Sequence, residues 1–198
     1  MGEAAQLRLK KIKEIKDKSH RDRAGNEKGL YVVFTGTGKG KTSGAMNLVY
    51  RHLAHDLKVA VVQFVKNSEA YPDGDRLMLT KLKSLGMPVK IHTLGGGLTW
   101  ETQNPEEDRK MAIAAWEIAK DYIQDGDINL VVLDELHIAL KNEQLDLKTV
   151  LADIQNRPNH CHVASTGRYA PQQLIEAADL VTEMKKIKHP IQQGVPAQ

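Results

Sequence analysis

The 198-residue chain contains one cysteine, Cys161, and aromatic residues make up only 5% of it. A single thiol cannot form an internal disulfide. That excludes a disulfide-stapled secreted scaffold and leads us to expect a reducing, cytoplasmic setting. No apolar run reaches the roughly 18–20 residues that a membrane span needs, so a membrane-spanning protein is excluded. The first residues are charged rather than apolar, unlike a secretory signal peptide. Few aromatics and no basic channel leave no stacking surface for a nucleic-acid strand. Internal repeats and low-complexity segments are absent. With 41% hydrophobic and 27% charged residues, the composition is that of a globular domain, neither disordered nor fibrous.

Net charge is small as well, +3, and it is unevenly placed. Residues 1–28 carry nine Lys/Arg against five Asp/Glu, whereas the remaining 170 carry 19 against 20. The basic character therefore belongs to an N-terminal arm and the body is near neutral. Within the arm Leu9, Ile12 and Ile15 recur at a helical spacing to about Lys18. That pattern suits a solvated helix with a thin apolar stripe or a helix that docks over a site or a partner subunit; a nucleic-acid arm is a third reading, against which Glu14, Asp17, Asp22 and Glu27 dilute the basic field. Gly25, Asn26 and Gly29 mark a linker, dividing the chain into an arm, 1–28, and a domain, 29–198.

The body alternates strand-like and helix-like segments. Apolar runs at Leu30–Thr35, Val59–Val65, Val89–Thr93, Leu130–Leu133, His160–Thr166 and Leu180–Met184 read as strands. Helical stretches cover about Lys41–His55, Asp75–Leu85, Pro105–Gln124, Leu147–Asn156 and Pro171–Ala178. This order predicts an α/β fold, a mostly parallel sheet with helices on both faces. LVVL and VAVVQFV have the unbroken apolar character of strands buried on both sides.

The strongest local signal follows the first strand: Thr35-Gly36-Thr37-Gly38-Lys39-Gly40-Lys41-Thr42. Strand, Gly-rich loop and helix come in the order of a phosphate-binding P-loop. Glycines let successive N–H groups point into one concavity, and the helix adds its positive end. Lys41 supplies a cation for phosphate oxygens and Thr42 a hydroxyl for Mg²⁺. The usual first glycine is here Thr35, so the loop starts at Gly36 and is one residue tighter.

A second signal is Leu130-Val-Val-Leu-Asp134-Glu135, two carboxylates at the carboxyl end of a buried strand. Open parallel sheets bind ligands there, and in P-loop proteins an acid at this place holds Mg²⁺ directly or through water. Glu135 would alternatively serve as a general base for water. The residues alone leave open which of the two acids touches the ion. Asp134-Glu135-Leu136-His137 also fits the Asp-Glu-x-His pattern of helicase motors, but such motors close a cleft between two domains and this chain has room for one.

The most unusual stretch is Gly95-Gly96-Gly97-Leu98-Thr99-Trp100-Glu101-Thr102. A Trp beside three glycines either packs a loop onto the domain or offers a flat apolar surface to a large planar ligand. Trp116, on an amphipathic helix, reads as core. His160 and His162 fall on one face of their strand and Cys161 on the other, which argues against a three-ligand zinc site.

Taken together and in order, Gly36–Thr42, Val62-Gln63-Phe64-Val65-Lys66, Leu98–Thr102, Val131–Leu136 and Thr166-Gly167-Arg168 closely resemble the CobA-type ATP:corrinoid adenosyltransferases, from about Gly29 to the last residues. Family members often carry Phe where Leu98 stands and Asn where Thr37 stands. The resemblance implies a RecA-like P-loop fold and a homodimer. It implies transfer of the 5′-deoxyadenosyl group of ATP to the Co(I) centre of a reduced corrinoid, cobalamin or a precursor, with release of triphosphate. It further implies Mg²⁺ or Mn²⁺ and an electron donor such as a reduced flavoprotein. Lys41, Glu135 and Arg168 are then the residues expected to carry the chemistry. Substrate contacts are expected from Gly36, Thr37, Gly38, Lys39, Gly40, Lys41, Thr42, Ser43 and Arg51, with Leu98 and Trp100 beneath the corrin ring. Metal contacts are expected from Thr42, Asp134 and Glu135. The arm resembles the segment that folds over the corrinoid. The residues alone leave two other readings open, a phosphoryl-transfer enzyme and a nucleotide-dependent switch module.

Overall fold

The structure is a computed structural model and describes residues 3–23, 28–65, 73–94, 104–189 and 194. Among the described residues six strands, β1 (Tyr31–Thr35), β2 (Val59–Phe64), β3 (Val89–Leu94), β4 (Leu130–Asp134), β5 (His162–Thr166) and β6 (Leu180–Glu183), form one sheet in the order β3-β2-β4-β5-β1-β6. Every neighbouring pair is parallel. The helices among the described residues are α1 (Glu3–Arg23), α2 (Lys41–Leu53), α3 (Gly74–Ser84), α4 (Pro105–Gln124), α5 (Leu136–Lys141), α6 (Leu147–Gln155) and α7 (Gln172–Ala177).

Side chains alternate across the sheet with period two, and each face meets its own helix layer. Val32, Phe34, Val59, Val61, Leu130, Val132 and Ala164 pack with Ala45, Met46, Val49 and Leu53 of α2 and Leu79 of α3. Tyr31, Val33, Ala60, Val62, Phe64, Val131, Leu133 and Val163 pack with Ala115, Trp116, Ala119 and Ile123 of α4, and with residues of α5 to α7. Every residue of β1, β2 and β4 is buried. Two covered faces explain why these strands read as unbroken apolar runs. The outer strand β6 is mostly exposed.

Local chemistry sets the helix starts. Asn104 accepts a hydrogen bond from the Glu107 N–H (3.3 Å), Pro105 follows it, and three acids occupy the first turn of α4. Asp146 accepts from the Thr149 N–H at 2.9 Å at the head of α6. The arm forms a helix longer than its apolar spacing suggests, and Leu7, Leu9, Ile12 and Ile15 on it are all exposed. The short helix α5 is not visible in the sequence pattern. The strand expected from His160 begins at His162, because the Cys161 N–H turns back to the Pro158 carbonyl (3.0 Å).

The strand order sends the chain from β1 across to β2 and back to β4, with β5 filling the gap. The carboxyl ends of β1, β4 and β5 thus meet at a reversal of strand order, where an open parallel sheet forms its crevice.

Candidate active site

The phosphate loop occupies that crevice. Gly36 has φ +99°, and a Cβ there would stand 2.5 Å from the Met184 carbonyl oxygen. The loop is this tight because it lies on the chain leaving β6: Met184 N–H donates to Thr35 O (2.8 Å) and Gly38 N–H donates to Met184 O (2.6 Å). Gly40 caps α2 in a left-handed conformation, φ 105°, which a side chain would oppose. Thr35 ends the strand, and its hydroxyl accepts from the Ala170 N–H at 3.2 Å.

Lys41 is buried, and its ammonium donates to the Gly38 carbonyl at 2.7 Å. Burial pulls its pKa below the ordinary lysine range; the Glu135 carboxylate opposes that, while Arg168 and Lys39 reinforce it. A desolvated cation held on a carbonyl of its own loop can exchange that carbonyl for an anionic oxygen.

Thr42 meets the acid of β4. Its hydroxyl donates to Asp134 Oδ1 at 2.9 Å, and Thr166 of β5 donates to the same oxygen at 2.7 Å. The Thr166 oxygen in turn accepts from the Glu135 N–H at 3.0 Å. Asp134 is fully buried, whereas Glu135 is partly exposed and has φ 61°. A left-handed backbone is costly for a non-glycine residue and recurs where a side chain must be aimed. Glu135 reaches the cleft beside Arg168, Lys39, Gly40, Lys41, Thr42, Ser43 and the head of α3, Asp73 to Asp75, around a volume of about 490 Å³.

On the opposite face of β5 a buried polar chain supports the same segment. His137 Nδ1 lies 3.0 Å from the Gly167 carbonyl oxygen and Nε2 lies 2.9 Å from Ser165 Oγ. Ser165 Oγ is also 3.0 Å from the Tyr31 hydroxyl. A carbonyl only accepts, so Nδ1 carries the hydrogen and Nε2 accepts from Ser165, which accepts from Tyr31. Burial holds this chain neutral: it pushes His137 down to about 4 and Tyr31 up to about 12.

The expected residues are not all gathered here. Lys39, Gly40, Lys41, Thr42, Ser43, Glu135 and Arg168 share the cleft; Gly36 and Gly38 belong to the same loop, packed on Met184, and Asp134 is hydrogen-bonded to Thr42. Thr37 is exposed on the loop. Arg51 stands apart, in the last turn of α2, roughly 15 Å along the helix axis from Lys41. It lines a different recess, with His52, His55, His162 and Leu130. Leu98 and Trp100 lie outside the described residues. Sequence reasoning assigned no role to Gln63, Asp73, His137 or Thr166. Gln63 and Thr166 fall in two of the short motifs and His137 in the Asp-Glu-x-His pattern, whereas Asp73 carries no sequence signal.

Strand, glycine loop, lysine–threonine helix start and a strand-end acid one strand removed define an α/β protein of the P-loop type. The flagellar accessory protein FlaH of Methanocaldococcus jannaschii has a solved structure that matches with a TM-score of 0.53 at 10% identity, over 79% of this chain and 71% of that one. That likeness is one of fold. The chain belongs to the family described as ATP:corrinoid adenosyltransferase BtuR/CobO/CobP, whose family model matches residues 27–198. It is 44% identical over 197 residues to a corrinoid adenosyltransferase of Pseudomonas aeruginosa, covering 92% of this chain and 95% of the relative. It is 36% identical over 196 residues to corrinoid adenosyltransferase CobA of Salmonella typhimurium, covering 99% and 96%.

Proposed function

We propose that this protein transfers the 5′-deoxyadenosyl group of ATP to the cobalt of a reduced corrinoid, cobalamin or a precursor. Co(I) attacks the ribose C5′, the C5′–O bond breaks, and triphosphate leaves with the bonding electron pair. A Co–C bond forms and the cobalt is formally oxidised to Co(III). The observation that carries this reading is a phosphate loop joined through Thr42 to a buried strand-end acid, in a chain whose residues 27–198 match the family.

The chemistry asked of the protein is electrostatic and positional. Lys41, the loop amides and Arg168 would bind the triphosphate and stabilise the charge it gains on leaving. The donor set of Thr42, Asp134 and Glu135 is all oxygen and suits Mg²⁺ or Mn²⁺ over softer metals. Such an ion, when bound, neutralises part of the triphosphate charge. Asp134, whose carboxylate already accepts from Thr42 and Thr166, would hold it through Thr42 and water, and Glu135 would orient the nucleotide. Leu98 and Trp100 would fill the space beneath the corrin ring and favour loss of the lower axial ligand, which makes Co(II) easier to reduce. The arm, residues 1–28, would fold over the corrinoid, and a reduced flavoprotein would supply electrons. A cytoplasmic homodimer completes the proposal.

The test is anaerobic mixing of the protein with Mg–ATP and chemically reduced cob(I)alamin, followed by visible spectroscopy and phosphate analysis. A light-sensitive adenosylcobalamin spectrum with stoichiometric triphosphate is expected. Steady ADP and phosphate without spectral change would overturn the reading in favour of phosphoryl transfer.

A further inference from the structure

Four adjacent strands each place one polar residue at the same level of the sheet. The pairing register sets Thr93 of β3 against Gln63 of β2, and Gln63 against Asp134 of β4. Leu133 pairs with Ser165, which brings Asp134 level with Thr166 of β5. Each neighbouring pair in this row is hydrogen-bonded. Thr93 Oγ1 donates to Gln63 Oε1 at 2.8 Å, Gln63 Nε2 donates to Asp134 Oδ2 at 3.3 Å, and Thr166 Oγ1 donates to Asp134 Oδ1 at 2.7 Å. Gln63 Nε2 also donates to Asp73 Oδ2 at 2.8 Å, and Asp73 Oδ1 caps α3 by accepting from the Asp75 N–H at 3.0 Å.

Gln63 is fully buried, so its amide cannot exchange these partners for water. Two carboxylates on one side and a hydroxyl on the other fix which way it faces: the NH₂ group toward the acids, the carbonyl toward Thr93. A neutral amide suits this place. Leu would remove one donor from each acid, and Glu would set a third carboxylate against two.

We infer that Gln63 is a positioning residue for metal-bound nucleotide. It holds Asp134 Oδ2, so that Oδ1 stays turned to the Thr42 hydroxyl of the phosphate loop. Through Asp73 it fixes the head of α3, which forms the wall of the cleft facing that loop. The two walls of the site are thus set by one amide from a strand that contributes nothing to the cleft lining. The inference rests on the phosphate-loop reading of the site, and it requires no property of the corrinoid.

The test is calorimetric titration of ATP into the wild type, Gln63→Leu and Thr93→Val, each with and without Mg²⁺, after circular dichroism has confirmed folding. Removing a residue that orients a metal-binding group typically costs about 10–100-fold in affinity. That loss is expected for Gln63→Leu with Mg–ATP, with metal-free ATP binding little changed and the KM for corrinoid unmoved. A merely structural role would lower the active fraction without changing the Mg²⁺-dependent ratio. Thr93→Val keeps both carboxylate bonds and removes the outer anchor, so a smaller loss of about 2–10-fold is expected, the range of one hydrogen bond. A wild-type Mg²⁺-dependent ratio in Gln63→Leu would overturn the inference. If that variant does not fold, the same ratio in Thr93→Val decides. Should the wild type bind Mg–ATP yet make no adenosylcobalamin, the adenosyltransferase reading fails, while the role of Gln63 is still judged from binding.

Discussion

Acidification should destabilise this protein through His137 before the corrinoid chemistry is considered at all. The ring is fully buried, donates from Nδ1 to Gly167 O and accepts at Nε2 from Ser165. Protonating Nε2 would turn an acceptor into a donor facing a hydroxyl already committed to it, inside an apolar layer. The folded-state pKa is accordingly pushed from 6.5 down to about 4. The unfolded chain takes up the proton as the pH falls through about 6.5, while the folded chain refuses it until about 4. Stability is therefore complete above the unfolded value, falls between the two values, and is flat with respect to this group below the lower one. At roughly 1.4 kcal/mol per pH unit, the interval is worth about 3 kcal/mol. That is a large share of a typical net stability of about 5–15 kcal/mol.

Other groups also titrate in this range, so the assay compares two proteins. Urea unfolding of the wild type and His137→Gln, at half-unit steps from pH 7.5 to 4, gives the stability difference at each pH. The advantage of the wild type should shrink by about 3 kcal/mol across that range. Imidazole nitrogen NMR of the wild type should show a neutral Nδ1–H ring well below pH 6. A stability difference that does not vary with pH, or a ring titrating near its ordinary value, would refute the reasoning.

Three further outcomes are expected. Lys41→Met should lower the rate of adenosyl transfer by about 100-fold or more, the usual cost of removing one donor to a developing anion, with the melting temperature unchanged or raised. Trp116→Ala should cost about 3–5 kcal/mol in urea unfolding, since Trp116 is buried and its indole donates to Asp153 at 3.2 Å; its activity per folded molecule should be retained. Asp146→Ala should cost about 1 kcal/mol, because it removes the cap of α6 without touching the cleft, and a loss above about 3 kcal/mol would show that the cap does more than close that helix.

Much of the site could be read along the chain because its parts are local. The glycine loop, Lys41 and Thr42 form one continuous stretch whose geometry is set by backbone freedom and a helix start. Asp134 and Glu135 are legible because a strand buried on both faces stays apolar until it emerges at its end. Helical periodicity likewise placed Trp116 in the core. Arg51, expected among the substrate contacts from the resemblance, stands ten residues from Lys41 in the last turn of α2 and lines a different recess.

What the amino-acid order determined by itself is therefore the parallel α/β architecture and the phosphate loop, both products of short-range periodicity and backbone stereochemistry. Only the tertiary structure decided which distant polar residues brace that loop. Gln63, Thr93, Asp134 and Thr166 are scattered over more than a hundred positions, and strand register alone sets them side by side. His137 and Tyr31 are likewise joined through Ser165. A buried hydrogen bond depends on where two strands or a strand and a helix meet, and no local pattern in the chain encodes that meeting.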